Sequence, residues 1–166
     1  GPTVYHALTT DPMGPPTQYV MTTAVERLAL VPATRDLTGA EIELISMTDR
    51  ERRLKDLIDG LRDRFEFIVI DCPPSLGLLT LNGLVAADSV LIPLHCEFFA
   101  LEGLSQLMRT VDLVKGSLNP SLEIQGVVLT MYDRRNSLSE QVARDVREHF
   151  GDAVYQTVIP RNVRVS

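Results

Sequence analysis

A chain of 166 residues suits one domain, and with 45% hydrophobic residues and ten each of glycine and proline it can build a sizeable core. The formal net charge of −6 argues against a protein that coats nucleic acid through overall charge, and leaves a local basic patch open. No apolar run is long enough to span a bilayer, the N-terminus has neither a basic start nor an apolar signal region, and the two isolated cysteines fit a reducing cytoplasm better than a disulfide scaffold. The expectation is a soluble, unsecreted chain with no membrane attachment.

In chain order, "TTDPMGPPTQ" (9–18) is rich in breakers and reads as a loop. "RLALVPA" (27–33) reads as a short strand, and "TGAEIELIS" as a helix. "TDRERRLKDLIDGLRDRF" reads as a second helix, with Thr48 placed to cap and Leu54, Leu57, Ile58 and Leu61 at helical spacing. "FEFIVID" (65–71) has the continuous apolar character of a central parallel strand. "SLGLLTLNGLVAA" (75–87) follows as an apolar helix, then "SVLIPL" (89–94) as a strand and "ALEGLSQLMRTVDLVKGS" (100–117) as an amphipathic helix. "LEIQGVVLTMY" (122–132), "LSEQVARDVREHF" (138–150) and "AVYQTVIP" (153–160) complete a strand, helix, strand run. The start on Gly1-Pro2 without an initiator methionine, and the stop just after a strand, suggest a piece truncated at both ends.

Alternating strands and helices imply a parallel sheet with right-handed crossovers, whose ligands bind beyond the carboxyl ends of the strands. Those ends carry Asp71, "HCE" (95–97), "DRRN" (133–136) and "RNVR" (161–164). Asp71 has two readings. It can favour the start of the following helix, although Ser75 is placed to cap and Pro73 and Pro74 suit a first turn. It can also hold Mg²⁺ through the ion's water shell, as a carboxylate ending an apolar strand does in P-loop nucleotide hydrolases. Arg134 and Arg135, with Arg161 and Arg164, are arginine pairs on one edge of the sheet, either a basic patch or solvated loops. Pro160, Arg161 and Asn162 have ordinary turn chemistry, and Met131 is core or an apolar wall at a strand end. Cys72 does not fit a nucleophile elbow, because Pro73 has no N–H to stabilise an oxyanion; a buried structural thiol is expected instead. His6, His95 and His149 share no metal-ligand spacing.

"FEFIVIDCPPSLGLLTLNGLVAADSVLIPLHCEFFALEGLSQL" resembles the second half of the ParA/Soj chromosome- and plasmid-partition ATPases. "LVPATRDLTGAEIEL" upstream and "VVLTMYDRRNSLSEQVARDVREHF" and "TVIPRNVRVS" downstream extend the resemblance over essentially the whole chain. It implies a three-layer, mostly parallel P-loop fold of Rossmann type. It also implies ATP and Mg²⁺ as cofactors, an ATP-dependent homodimer, non-specific DNA binding on the nucleoid and a ParB-like partner that stimulates hydrolysis. By the same resemblance, Asp71 is the magnesium-side carboxylate, and Cys72, Pro73, Pro74 and Ser75 belong to switch II. Pro160 and Asn162, with Met131 nearby, match the adenine pocket, while Arg135 and Arg164, with Arg134 and Arg161, match the DNA-contacting arginines.

One departure is large. The family's Gly-rich loop with two lysines is absent, since the two lysines, Lys55 and Lys115, lie in predicted helices. The expected sheet is therefore incomplete, lacking the first strand, P-loop and first helix, and the switch I aspartate is missing too. A MinD-like membrane regulator would need an amphipathic helix beyond Ser166, whereas "DRRN" and "RNVR" favour DNA. A phospho-receiver domain would need a late Lys-Pro and an early acidic pair, neither in place. A non-catalytic interaction module is the remaining alternative.

Overall fold

The computed structural model describes residues 1–162. The chain divides into two compact units, Gly1–Ala87 and Asp88–Ser166.

The first unit is mainly helical: α1 (Val4–Thr9), α2 (Leu37–Leu44), α3 (Arg53–Asp59) and α4 (Leu78–Ala86), with short 3-10 turns at Pro16–Tyr19 and Arg62–Arg64. A minimal antiparallel pair, β1 (Met21–Thr22) with β2 (Ala29–Leu30), is its only sheet among the described residues. Its core gathers Ala7, Leu8, Ala40, Leu44, Leu54, Leu57, Ile58 and Leu61. The expected helical stripe of Leu54, Leu57 and Ile58 does face inward, and each such buried side chain contributes about 1.5–3 kcal/mol. Arg53 is buried because it has work at the end of α1. Its Nε donates to the Leu8 carbonyl at 3.1 Å, and its Nη2 donates to the Thr10 carbonyl. A guanidinium there meets the negative end of the helix.

Four expectations fail in this unit. The strand expected over 27–33 shrinks to the two residues of β2. The helix expected from Thr48 begins only at Arg53, because Asp49 takes a left-handed φ of 51° that no continuing helix accommodates. Residues 65–71 form no strand: Phe67 is 81% exposed and Val69 90% exposed. A strand requires a partner for its backbone as well as apolar residues, and no described segment supplies one. The helix after them starts at Leu78, so Ser75 does not cap it and Pro73 and Pro74 lie in the preceding loop.

The second unit is the α/β part. β3 (Ser89–His95), β4 (Glu123–Tyr132) and β5 (Val154–Pro160) form a parallel sheet in the order β3-β4-β5. Helices α5 (Ala100–Ser117) and α6 (Ser137–Phe150) make the crossovers. Leu104 from α5 and Val142, Ala143 and Val146 from α6 share one core with Ile92, Val127, Leu129 and Val154 of the strands. All five elements match their expected spans to within a residue or two. The register slips between Leu129 and Tyr132, and Met131 there has a φ of 53°. Such an irregularity re-aims side chains at a strand end.

Candidate functional site

Chemistry-bearing residues collect in two places, one in each unit. In the first unit, Asp71 and the following Cys72, Pro73, Pro74, Ser75 and Leu76 are all exposed. The loop is nevertheless tied to α4. The Thr80 hydroxyl, on a buried residue, is shared between the Ser75 carbonyl and the Pro73 carbonyl, the latter at 3.3 Å. The Cys72 sulfur lies so close to Gly83 that a Cβ there would stand 2.6 Å from it. Cys72 thus belongs to an exposed loop, with its sulfur partly covered against Gly83, rather than to the core as the structural thiol expected. Burial of its sulfur, then the nearby Asp71 carboxylate, push its pKa up.

The platform beneath that loop is fixed from two other sides. The Glu41 carboxylate accepts from Leu79 N at 3.4 Å, at the positive end of α4. Asn82, fully buried, accepts from Leu54 N at 3.0 Å and donates to the carbonyls of Arg50 and Leu78 at 2.8 and 2.9 Å. Glu41, Thr80 and Asn82 escaped the sequence reading. Nothing local marks them, because their partners come from tertiary contacts or from a turn with no regular spacing.

No group of three or more metal-ligating side chains exists among the described residues. A lone exposed carboxylate such as Asp71 still suits Mg²⁺, which keeps most of its waters and uses one or two carboxylates together with substrate phosphates.

In the second unit, a cleft of about 450 Å³ opens at the carboxyl ends of β4 and β5. It is lined by Tyr132, Asp133, Arg134, Arg135, Val158, Pro160 and Arg161. The turn that presents the arginines is built by local polar groups. Asp133 Oδ1 accepts from Arg135 N at 2.9 Å, and the Asp133 carbonyl accepts from Asn136 N at 3.0 Å. Asn136 Oδ1 then caps α6 by accepting from Leu138 N at 3.0 Å. Arg161 N donates to the Tyr132 carbonyl at 3.0 Å, which holds the ends of the two strands together. Three arginines and one aspartate thus line a single concave surface of a chain whose formal charge is −6. Pro160 lines this cleft, while Met131 and Asn162 sit beside it in sequence but are not among its walls. Arg164 lies outside the described residues.

A family model described as an AAA domain matches residues 2–124. The chain is 63% identical over 146 residues to the chromosome partitioning protein ParA of Caulobacter vibrioides, covering 87% of this chain and 55% of the relative. It is 53% identical over 164 residues to ParA of Myxococcus xanthus, covering 99% and 57%. The chain belongs to the ParA/Soj family of AAA-domain ATPases. The sporulation initiation inhibitor protein Soj of Bacillus subtilis is 55% identical over 147 residues, covering 89% of this chain and 58% of its own. The chain spans a little over half the length of these ParA/Soj relatives.

Among solved structures, cobyrinic acid a,c-diamide synthase of Mycobacterium smegmatis, with bound ATP analogue and magnesium, matches at a TM-score of 0.87 and 40% identity. That match covers 97% of this chain and 65% of the other. The McdA–ATP complex of Cyanothece matches at a TM-score of 0.89 over 99% of this chain and 64% of its own, and at 21% identity it attests the fold alone. The mixed α/β, P-loop-type architecture expected from the sequence therefore holds, with the parallel sheet carried by the second unit.

Proposed function

We propose that this chain is part of the single ATPase domain of a DNA-partition protein, one that dimerises with ATP and binds DNA without reading its sequence. The observation that carries the reading is its 53% identity to a chromosome partitioning ParA over 164 of its 166 residues. In this reading Asp71 holds the water shell of Mg²⁺, which supplies charge neutralisation on the ATP phosphates. Cys72, Pro73, Pro74 and Ser75 form the switch that follows Asp71. Pro160, Asn162 and Met131 enclose the adenine. Arg134, Arg135, Arg161 and Arg164 contact DNA phosphates from loops at strand ends, an arrangement that offers no helix for reading a groove. A ParB-like protein is the expected stimulating partner, and the working location is the nucleoid in the cytoplasm. No helix among the described residues is long and apolar enough to cross a membrane.

The test is phosphate release by the full-length protein with Mg²⁺ and ATP. Asp71→Asn keeps the shape and removes the charge, so it should fold normally and lose turnover by about 100-fold, the usual cost of deleting a preorganised electrostatic group. Wild-type turnover in a normally melting Asp71→Asn protein would remove Asp71 from the metal site.

A further inference from the structure

We infer that Thr80 is a positioning residue, a one-hydroxyl latch that holds the Asp71–Ser75 strap against α4. The inference rests on the reading of Asp71 given above.

The strap has an anchoring problem that its sequence creates. Pro73 and Pro74 have no backbone N–H, so over these residues the strap offers only carbonyl acceptors to its surroundings. Something else must donate. α4 presents Thr80 and Gly83 three residues apart, hence on one face of the helix. The Thr80 hydroxyl is shared between the carbonyls of Pro73 and Ser75, one on each side of Pro74. At Gly83 the absence of a side chain lets the Cys72 sulfur sit where a Cβ would be 2.6 Å away. The residue next to Asp71 is thus seated at Gly83, and the residues beyond it are fastened at Thr80.

The platform does not share the strap's freedom. Thr80 is 6% exposed and Asn82 is fully buried. Asn82 and Glu41 secure α4 to other parts of the same unit. The strap itself is exposed from Asp71 to Leu76 and has no strand pairing. An exposed loop held to a fixed helix by one shared hydroxyl and one sulfur contact at a glycine can let go without unfolding its support. Thr80 therefore sets where the Asp71 carboxylate stands, and its release would move it.

Three variants of the full-length protein separate this role from mere packing. Thr80→Val keeps the volume and β-branch but cannot donate, while Thr80→Ser keeps the donor. Gly83→Ala favours the helix yet forces the Cys72 sulfur away, so it tests the same docking if Thr80→Val fails to fold. The readout is the rate of Cys72 alkylation at one pH, mapped by peptide mass so that buried Cys96 is counted apart.

Thr80→Val and Gly83→Ala should speed Cys72 alkylation about threefold to tenfold, the shift expected from losing one ordinary hydrogen bond, with Thr80→Ser near wild type. With Mg²⁺ saturating and ATP varied, Thr80→Val should lower kcat with KM little changed, and Thr80→Ser should restore it. Unchanged Cys72 alkylation in folded Thr80→Val or Gly83→Ala overturns the latch. Faster alkylation with wild-type kcat overturns its role in positioning Asp71. A wild-type protein that alkylates as described but never turns over ATP overturns the ATPase reading and leaves the latch to the alkylation rates.

Discussion

Asn82 is a small polar side chain that commits its amide entirely to backbone. It has no exposed surface, and its three hydrogen bonds reach Leu54, Arg50 and Leu78. The bond to Leu54 N satisfies one of the donors left open at the start of α3, a task normally done by the residue just before the helix. Asn82→Ala would leave that buried N–H without its acceptor, at a cost of about 2–3 kcal/mol, the upper part of the usual penalty for one unpaired buried group. Asn136 does the same job for α6 but is exposed, so Asn136→Ala should cost about 1 kcal/mol, since water replaces the lost acceptor. Urea unfolding of both variants checks the pair. Equal losses would mean that burial does not set the weight of these caps. At this scale, too, Asp71 and Thr80 differ in kind: removing the Asp71 charge should spare the fold, whereas removing the Thr80 hydroxyl should loosen one loop.

The elements divide by where their information resides. β3, α5, β4, α6 and β5 were legible because each carries its own period, and α6 also has its cap beside it in Asn136. α3 and α4 were legible as helices but misplaced at their starts. Thr48 and Ser75 are sensible local caps, yet the helices begin at Arg53 and Leu78 and take their partners from Asn82 and Glu41, distant in sequence. No spacing rule reveals such a cap. The stretch 65–71 failed for another reason: its composition is that of a central strand, but pairing is a property of two segments. Met131 and the arginine turn were legible as residues at a strand end, while the register slip that shapes that end was not. An extended, apolar and unpaired segment is also a template for association between copies. Val69 is 90% exposed, so Val69→Lys should reduce concentration-dependent light scattering of the 166-residue chain without lowering its melting temperature. Scattering unchanged by the lysine would place the association surface elsewhere.

For the whole molecule, charge and length matter more than any single contact. The 166 residues contain no Gly-rich loop with paired lysines, Lys55 lying in α3 and Lys115 in α5. Such a loop supplies much of the charge stabilisation in phosphoryl transfer, so this chain alone should release phosphate from Mg²⁺ and ATP no faster than a buffer control. Turnover abolished by Asp71→Ala would refute that expectation. An acidic chain that gathers three arginines at one sheet edge can bind a polyanion only locally, through a small number of phosphates. If Arg135 and Arg164 each contact DNA in both subunits of an ATP-bound dimer, about four phosphates are neutralised, and log affinity should fall against log salt with a slope of roughly −3 to −4. The most direct measurement is therefore a salt titration of DNA binding by the full-length protein, held with a slowly hydrolysed ATP analogue. The account predicts that slope on unrelated DNA sequences, flattened by about 2 in Arg135→Ala, with nucleotide affinity intact. A slope left unchanged by Arg135→Ala, or binding that depends on one DNA sequence, would contradict it.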